Sequence, residues 1–231
     1  MSSRQEDRGR LVKLGAAAVL AAIIVVAVAI AISQSGGDDG GSDSSAAETQ
    51  LLNTVPQAGY RLGDASAPVT VTEFGDLQCP ACAEFSHTDV ADLISGPVND
   101  GEAKIEFRNW VVIGPQSVTA AEAALAAAEQ DRYWNFITAF YDNQEAENSG
   151  YVTDSFLTDI AEQAGVPDLD QWNRDRDDPR WDAVIAGGER TAQRLGFAGT
   201  PSFLVQGPGG VQRLSAPVQL GALEDAVQSL R

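Results

Sequence analysis

The chain has 231 residues, with 15 Lys and Arg against 33 Asp and Glu and a net charge of −18. Phosphate binding needs a basic surface, so this balance argues against nucleic acid as a partner. Only 2 cysteines are present, too few for a disulfide-stapled scaffold, and a chain of this length can bury a core without staples.

In chain order, residues 1–13 carry Arg4, Arg8, Arg10 and Lys13 against Glu6 and Asp7. Leu14 to Ile32 is then an unbroken run of Ala, Val, Ile, Leu and Gly. At helical rise it is long enough to cross the roughly 30 Å hydrocarbon core. Asp38, Asp39, Asp43 and Glu48 follow with no base among them. The positive-inside rule therefore predicts a cytoplasmic N-terminus at 1–13, a single transmembrane signal-anchor at 14–32 and an extracytoplasmic remainder. A cleaved signal peptide is the alternative, since Ala27-Val28-Ala29 and Ala29-Ile30-Ala31 fit a small-x-small site. The apolar run exceeds the usual h-region of about 7–15 residues, which favours the anchor. No cysteine lies near this segment, so a lipoprotein is excluded.

Without residues 1–32 the bases fall by four and the acids by two, leaving 11 against 31 and a charge of −20. Such acidity reads as solubility and mutual repulsion. Residues 33–50 are rich in Ser, Gly, Asp and Ala and have no aromatic, the composition of a tether. The folded part is expected to start near Leu51 or Tyr60, with a flexible linker over 33–58 and one domain over 59–231.

Val69-Thr70-Val71-Thr72-Glu73-Phe74 alternates and is β-branched, which predicts a strand. Ala81 to Ser95 predicts a helix with Val90, Leu93 and Ile94 on one stripe and Gly96-Pro97 as its stop. Lys104 to Ile113 predicts a second strand, ended by Gly114-Pro115. The texture then turns Ala-rich with helical period, predicting helices over Val118–Gln130, Tyr133–Gln144, Thr153–Ala164 and Pro179–Leu195. Ser202 to Val205 is a short strand, Gly207-Pro208-Gly209-Gly210 a turn, Val211 to Leu214 its antiparallel partner and Val218 to Leu230 a closing helix. The order is β-α-β, about 80 helical residues, then β-β-α. It predicts one α/β layered domain around a small mixed sheet, with an all-helical insertion at about 117–195.

The two cysteines stand together as Cys79-Pro80-Ala81-Cys82 at the first strand-to-helix junction, where thiol redox sites are built. Phe74-Gly75-Asp76-Leu77-Gln78-Cys79-Pro80-Ala81-Cys82, with Gly199-Thr200-Pro201-Ser202-Phe203 far downstream, resembles the DsbA-like branch of the thioredoxin superfamily. The match covers about residues 60–231, and the helical insertion before the Thr-Pro is similar to that branch and unlike plain thioredoxin. The resemblance implies a thioredoxin-like fold and protein disulfide oxidoreductase activity.

The chemistry of the residues agrees with what the resemblance implies. Cys79 opens a helix, where unpaired N–H groups and the positive dipole end lower a thiol's pKa, so it is the expected nucleophile. Cys82 lies one turn deeper on the same side and is the expected resolving thiol. Pro80, at the first helical turn, stiffens the active-site turn at little cost. Ala81 stands where strongly oxidising family members often carry His, which removes one thiolate-stabilising cation. Thr200-Pro201 resembles the family's cis-proline turn, which offers backbone to an extended substrate; the alternative is a plain strand-entry proline.

Glu73 shares a strand face with Val69 and Val71, so if those are core its carboxyl points inward, with a raised pKa. The family often keeps an acid beneath the dithiol, which makes Glu73 a candidate proton relay to Cys82; otherwise the opposite face is buried and Glu73 meets solvent. His87, the only histidine, lies eight residues past Cys79, roughly 12 Å along the helix, and is assigned to solvent or packing. Trp110, Trp134, Trp172 and Trp181 read as core, with a substrate groove as the alternative. The acids at Asp168, Asp170, Asp175, Asp177 and Asp178 lack EF-hand spacing and read as a solvated loop.

The leading expectation is an extracytoplasmic, membrane-tethered enzyme that introduces disulfides into exported cysteine-containing proteins. A membrane partner would re-oxidise it, and no cofactor is expected beyond the Cys79–Cys82 disulfide. A reductase or isomerase would use the same pair in reverse. From other classes, a metal carrier would want a histidine within reach of both thiols, and His87 is badly placed for that. A binding module with a structural bridge gains little from a loop this short.

Overall fold

A computed structural model describes residues 50–231 of the chain. The expected cytoplasmic segment 1–13, the signal-anchor 14–32 and the first part of the linker lie outside these residues. Among the described residues no helix is long and apolar enough to cross a membrane. The linker expected over 33–58 gives way to folded chain before its end: Leu52 and Val55 are buried in the core and Gln57–Ala58 is already a strand.

Six strands form one mixed sheet: β1 Gln57–Ala58, β2 Arg61–Leu62, β3 Val69–Gly75, β4 Ala103–Asn109, β5 Ser202–Gly207 and β6 Gly210–Leu214. Their order across the sheet is β1-β2-β4-β3-β5-β6. Central β3 runs parallel to β4 and antiparallel to β5, with Glu73 level with Phe107 on one side and Phe203 on the other. The two-residue strands β1 and β2 are too short to leave a periodic signal in the sequence, and neither was expected.

Between β3 and β4 the chain is helical over residues 80–98, here α1, and opens as an α-helix at Pro80–Phe85. Wide i→i+5 turns interrupt it at Ser86–Val90 and Ile94–Val98, where Ala91 N–H reaches Ser86 O and Asn99 N–H reaches Ile94 O. Gly96-Pro97 does not stop the helix where the sequence predicted. The wide last turn carries the proline, which has no N–H to place. The second strand ends at Asn109 rather than Ile113. Beyond Asn109 the N–H groups of Val112 and Ile113 turn to the carboxyl of Asp76 instead of a neighbouring strand.

The insertion consists of α2 Pro115–Ala128, α3 Tyr133–Asp142, α4 Asp154–Gln163, α5 Leu169–Asp175 and α6 Arg180–Leu195. Helix α5 was not expected, because the acids around it dominate the sequence pattern. Asp168 caps it through Oδ1, which accepts the Gln171 N–H at 2.8 Å, and its apolar residue Trp172 is buried with Nε1 on Ala123 O. Trp110, Trp134 and Trp181 are buried as well, so all four tryptophans are core. Helix α7, Ala222–Leu230, closes the domain against β5 and β6. The larger core cluster joins Val69, Val71, Ile105 and Phe203 to α1, α7 and the insertion. A smaller one, Phe74, Trp110, Ala192 and Phe197, uses the opposite face of β3.

Candidate active site

The end of β3 delivers the dithiol. Gly75 lets the strand finish against Phe107: a Cβ there would stand 2.6 Å from the ring, and 3.2 Å from Glu73 Oε1. Asp76 then builds the turn into α1. Its Oδ1 accepts the Gln78 N–H at 2.9 Å and its main-chain oxygen accepts the Cys79 N–H at 2.9 Å. Cys79 takes an extended N-cap conformation, Pro80 occupies the first helical turn, and Cys79 O receives the N–H groups of Cys82 and Ala83. Cys79 is 7% exposed and Cys82 is fully enclosed; both are free thiols.

The Thr200–Pro201 bond is cis, and the loop it forms faces the dithiol: Cys79 Sγ lies 3.6 Å from Thr200 O. Ser202 steadies that loop, donating to Gly199 O at 2.6 Å and accepting the Ala216 N–H at 3.1 Å. Cys79, Pro80, Ala81, Cys82, Thr200 and Pro201 thus converge, as the sequence motifs implied.

Three titratable groups here depart from their ordinary values. Cys79 is lowered from 9.0 to about 6, chiefly by the hydrogen bond from the Cys82 thiol; burial opposes this, while Thr200 and the N–H groups of Cys82 and Ala81 add to it. Cys82 is pushed well above 9.0, by burial first and then by the Cys79 sulfur it serves. Glu73 rises from 4.5 to about 8, by burial and then by the charge on Cys79. Its strand face is the inward one, 2% exposed between Phe107 and Phe203, and its Oε1 has no hydrogen-bond partner among the described residues. One accessible, acidic thiol therefore sits above one shielded, weakly acidic thiol, with a carboxyl below that holds its proton near neutral pH.

His87 takes no part in this cluster; its Nδ1 lies 3.7 Å from Asp142 Oδ1, tying α1 to α3. Further polar groups, several of them from the insertion, brace the reactive turn. Asp76 Oδ2 accepts the N–H groups of Val112 and Ile113 at 2.8 and 2.9 Å. Gln78, fully buried, donates to Ser117 Oγ and accepts the Asn148 N–H. Gln144 Nε2 donates to Leu77 O at 2.7 Å and Cys79 O at 3.3 Å. The Tyr141 hydroxyl donates to Asp76 O at 3.4 Å. Gly75-Asp76 carries a turn signal that could have flagged Asp76. Gln78, Tyr141, Gln144 and Asn148 carry none, because their role depends on how the insertion folds back.

The thioredoxin family profile matches residues 56–220. A probable disulfide bond formation protein D from Bacillus cereus is 32% identical over 149 residues, spanning 63% of this chain and 69% of that protein. Among solved structures, a thioredoxin-like oxidoreductase from Silicibacter pomeroyi is similar, with a TM-score of 0.61 and 33% identity over 77% of this chain and 94% of that one. BdbD from Bacillus subtilis in its oxidised form shares the fold, with a TM-score of 0.63 at 22% identity over 75% of this chain and 97% of that one. With the dithiol, the cis Thr-Pro and the helical insertion in place, the chain belongs to the thioredoxin family as a DsbA-like protein disulfide oxidoreductase.

Proposed function

We propose that this enzyme runs as an oxidase, introducing disulfides into exported, cysteine-containing proteins outside the cytoplasm, with the Cys79–Cys82 disulfide as its redox group. The observation that carries the direction is the lowering of Cys79 to about 6. A stabilised thiolate favours the reduced dithiol and so makes the disulfide a stronger oxidant. Ala81 brings no cation to the thiolate, and the stabilisation comes from the Cys82 thiol, the Thr200 side chain and the N–H groups of Cys82 and Ala81.

In the oxidised enzyme a substrate thiolate attacks the Cys79 sulfur, the Cys79–Cys82 bond breaks, and its electron pair leaves on Cys82. Cys82 holds its proton tightly once reduced, and Glu73 is the group positioned to hand one over. A second substrate thiolate then attacks the substrate sulfur of the mixed disulfide. Cys79 departs as a thiolate, two electrons have moved to the enzyme, and the substrate carries a new disulfide. The cis Thr200–Pro201 loop, 3.6 Å from the reacting sulfur, is the backbone an extended substrate would lie against. A membrane oxidant must take the two electrons back, and the apolar run at 14–32 would keep the domain near it.

Equilibration of the purified domain with glutathione buffers tests the direction. An oxidase predicts a potential between about −120 and −200 mV, whereas a value near −270 mV reverses the assignment to a reductase.

A further inference from the structure

Asp76 is 1% exposed, yet it contacts neither reacting sulfur through its side chain. Both oxygens act as acceptors of backbone N–H groups: Oδ1 for Gln78 within the reactive turn, Oδ2 for Val112 and Ile113 on the chain leaving β4. Its main-chain oxygen takes the Cys79 N–H. Asp76 thus consumes the N–H groups at 78 and 79, and position 80 is proline, which has none. The first main-chain donors that reach the Cys79 sulfur are those of Ala81 and Cys82.

We propose that Asp76 is a positioning residue for the dithiol, its side chain pinning the reactive turn to Val112 and Ile113 so that the start of α1 stays aimed at the Cys79 sulfur. The inference rests on the dithiol reading above. Three donors on one side chain make a rigid cross-tie between two segments far apart in sequence. The tied partner leads directly into α2, so the orientation of the thiol is coupled to the seating of the insertion. Without the tie the turn keeps its Pro80 and its helix, but the donors at 81 and 82 lose alignment.

A charge-only role and a positioning role move the Cys79 thiol in opposite directions. Removing a nearby negative charge stabilises a thiolate, whereas misaligning its donors destabilises it. The test is the pH dependence of alkylation of Cys79 in reduced wild type, Asp76→Asn and Asp76→Ala, each in a Cys82→Ala background and with intact Cys82. Asn retains the size of the side chain and one acceptor oxygen, orphaning only part of the donor set. Positioning predicts a graded rise of the midpoint, about half a unit for Asn and about one unit for Ala. A charge-only role lowers both midpoints equally, and a purely structural role lowers the melting temperature of both redox forms alike with the midpoint unmoved. Either result overturns the proposal. Should Asp76→Ala fail to fold, the isosteric Asn variant decides alone. A wild-type midpoint near 9 would instead undercut the thiolate reading on which the proposed oxidase direction rests.

Discussion

The Cys79 sulfur lies 3.6 Å from the main-chain oxygen of Thr200, a residue 121 positions further along the chain. The helical insertion therefore lies, in sequence, wholly between the two halves of the reactive site. Separately from that main-chain contact, the Thr200 side chain helps hold the Cys79 thiol at about 6, alongside the Cys82 thiol. Iodoacetamide modification of reduced protein should accordingly titrate with a midpoint near 6, and Thr200→Ala should move that midpoint up by a fraction of a unit. Mass spectrometry at each pH would assign the modified residue. Early modification of Cys82 in preference to Cys79 would contradict the geometry.

The burial asymmetry predicts which cysteine traps substrates. Cys79 is the thiol with access, and Cys82 is sealed beneath it with its pKa well above 9.0. In cells, Cys82→Ala should accumulate mixed disulfides through Cys79, while Cys79→Ala should accumulate essentially none. Non-reducing gels after acid quenching would show the adducts. Equal trapping by the two variants would remove the division of labour argued above.

Glu73 makes stability depend on pH with a definite sign. Its folded value, about 8, lies above its ordinary 4.5, so the fold favours the protonated carboxyl. That contribution is complete below 4.5 and disappears as pH rises through 8. Glu73→Gln cannot titrate, so reduced Glu73→Gln should gain on reduced wild type between pH 5 and pH 9 by on the order of 4 kcal/mol, read from urea melts. Cys79, lowered from 9.0, acts with the opposite sign, its contribution full above 9 and lost as pH falls through 6. It is present in both proteins and cancels in the difference apart from its coupling to the Glu73 charge.

The same carboxyl should report the redox state. Burial is the larger cause of its rise and the Cys79 charge the second. Oxidation to the disulfide abolishes that charge, so Glu73 should titrate lower in oxidised than in reduced protein. The carboxyl band in infrared difference spectra across pH 5 to 9 would measure both midpoints. Coincident midpoints would mean that Glu73 and Cys79 are not coupled and that the relay has no electrostatic basis.

What the sequence discloses about this domain follows the range of the forces involved. The period-two recurrence of Val69, Val71 and Glu73 put them on one face of β3 but left open which face is inward, and the neighbours Phe107 and Phe203 decide it by burying Glu73. The dithiol and the Thr-Pro were legible because each is a short motif whose chemistry is local. Asp76, Gln78 and Gln144 were not, since their hydrogen bonds span 36, 39 and 67 residues. Helix α5 was hidden by its own acids, and it forms because Asp168 caps it and Trp172 buries one side. Strand β4 stops early for a long-range reason too, since Asp76 captures the N–H groups that would have extended it.

Two adjacent glycines in α6 give predictions of opposite sign. Gly188 packs against the main-chain oxygen of Asn109, the last residue of β4, and a Cβ there would fall well inside contact distance. Asn109 is fixed by its own strand and by its Nδ2 bond to the Tyr133 hydroxyl at 2.9 Å, so the helix has to move instead. Gly188→Ala should therefore cost about 1–3 kcal/mol, the range for forcing volume into a packed interface. At Gly187 the nearest atom to a new Cβ is the end of the flexible Arg190 side chain, 3.9 Å away. There Ala brings only its better helix propensity and a less flexible unfolded chain, and Gly187→Ala should stabilise by about 0.4–1 kcal/mol. Urea melts of the two variants beside wild type measure both. The same sign for both would mean that α6 does not approach β4 as closely as the Gly188 contact requires.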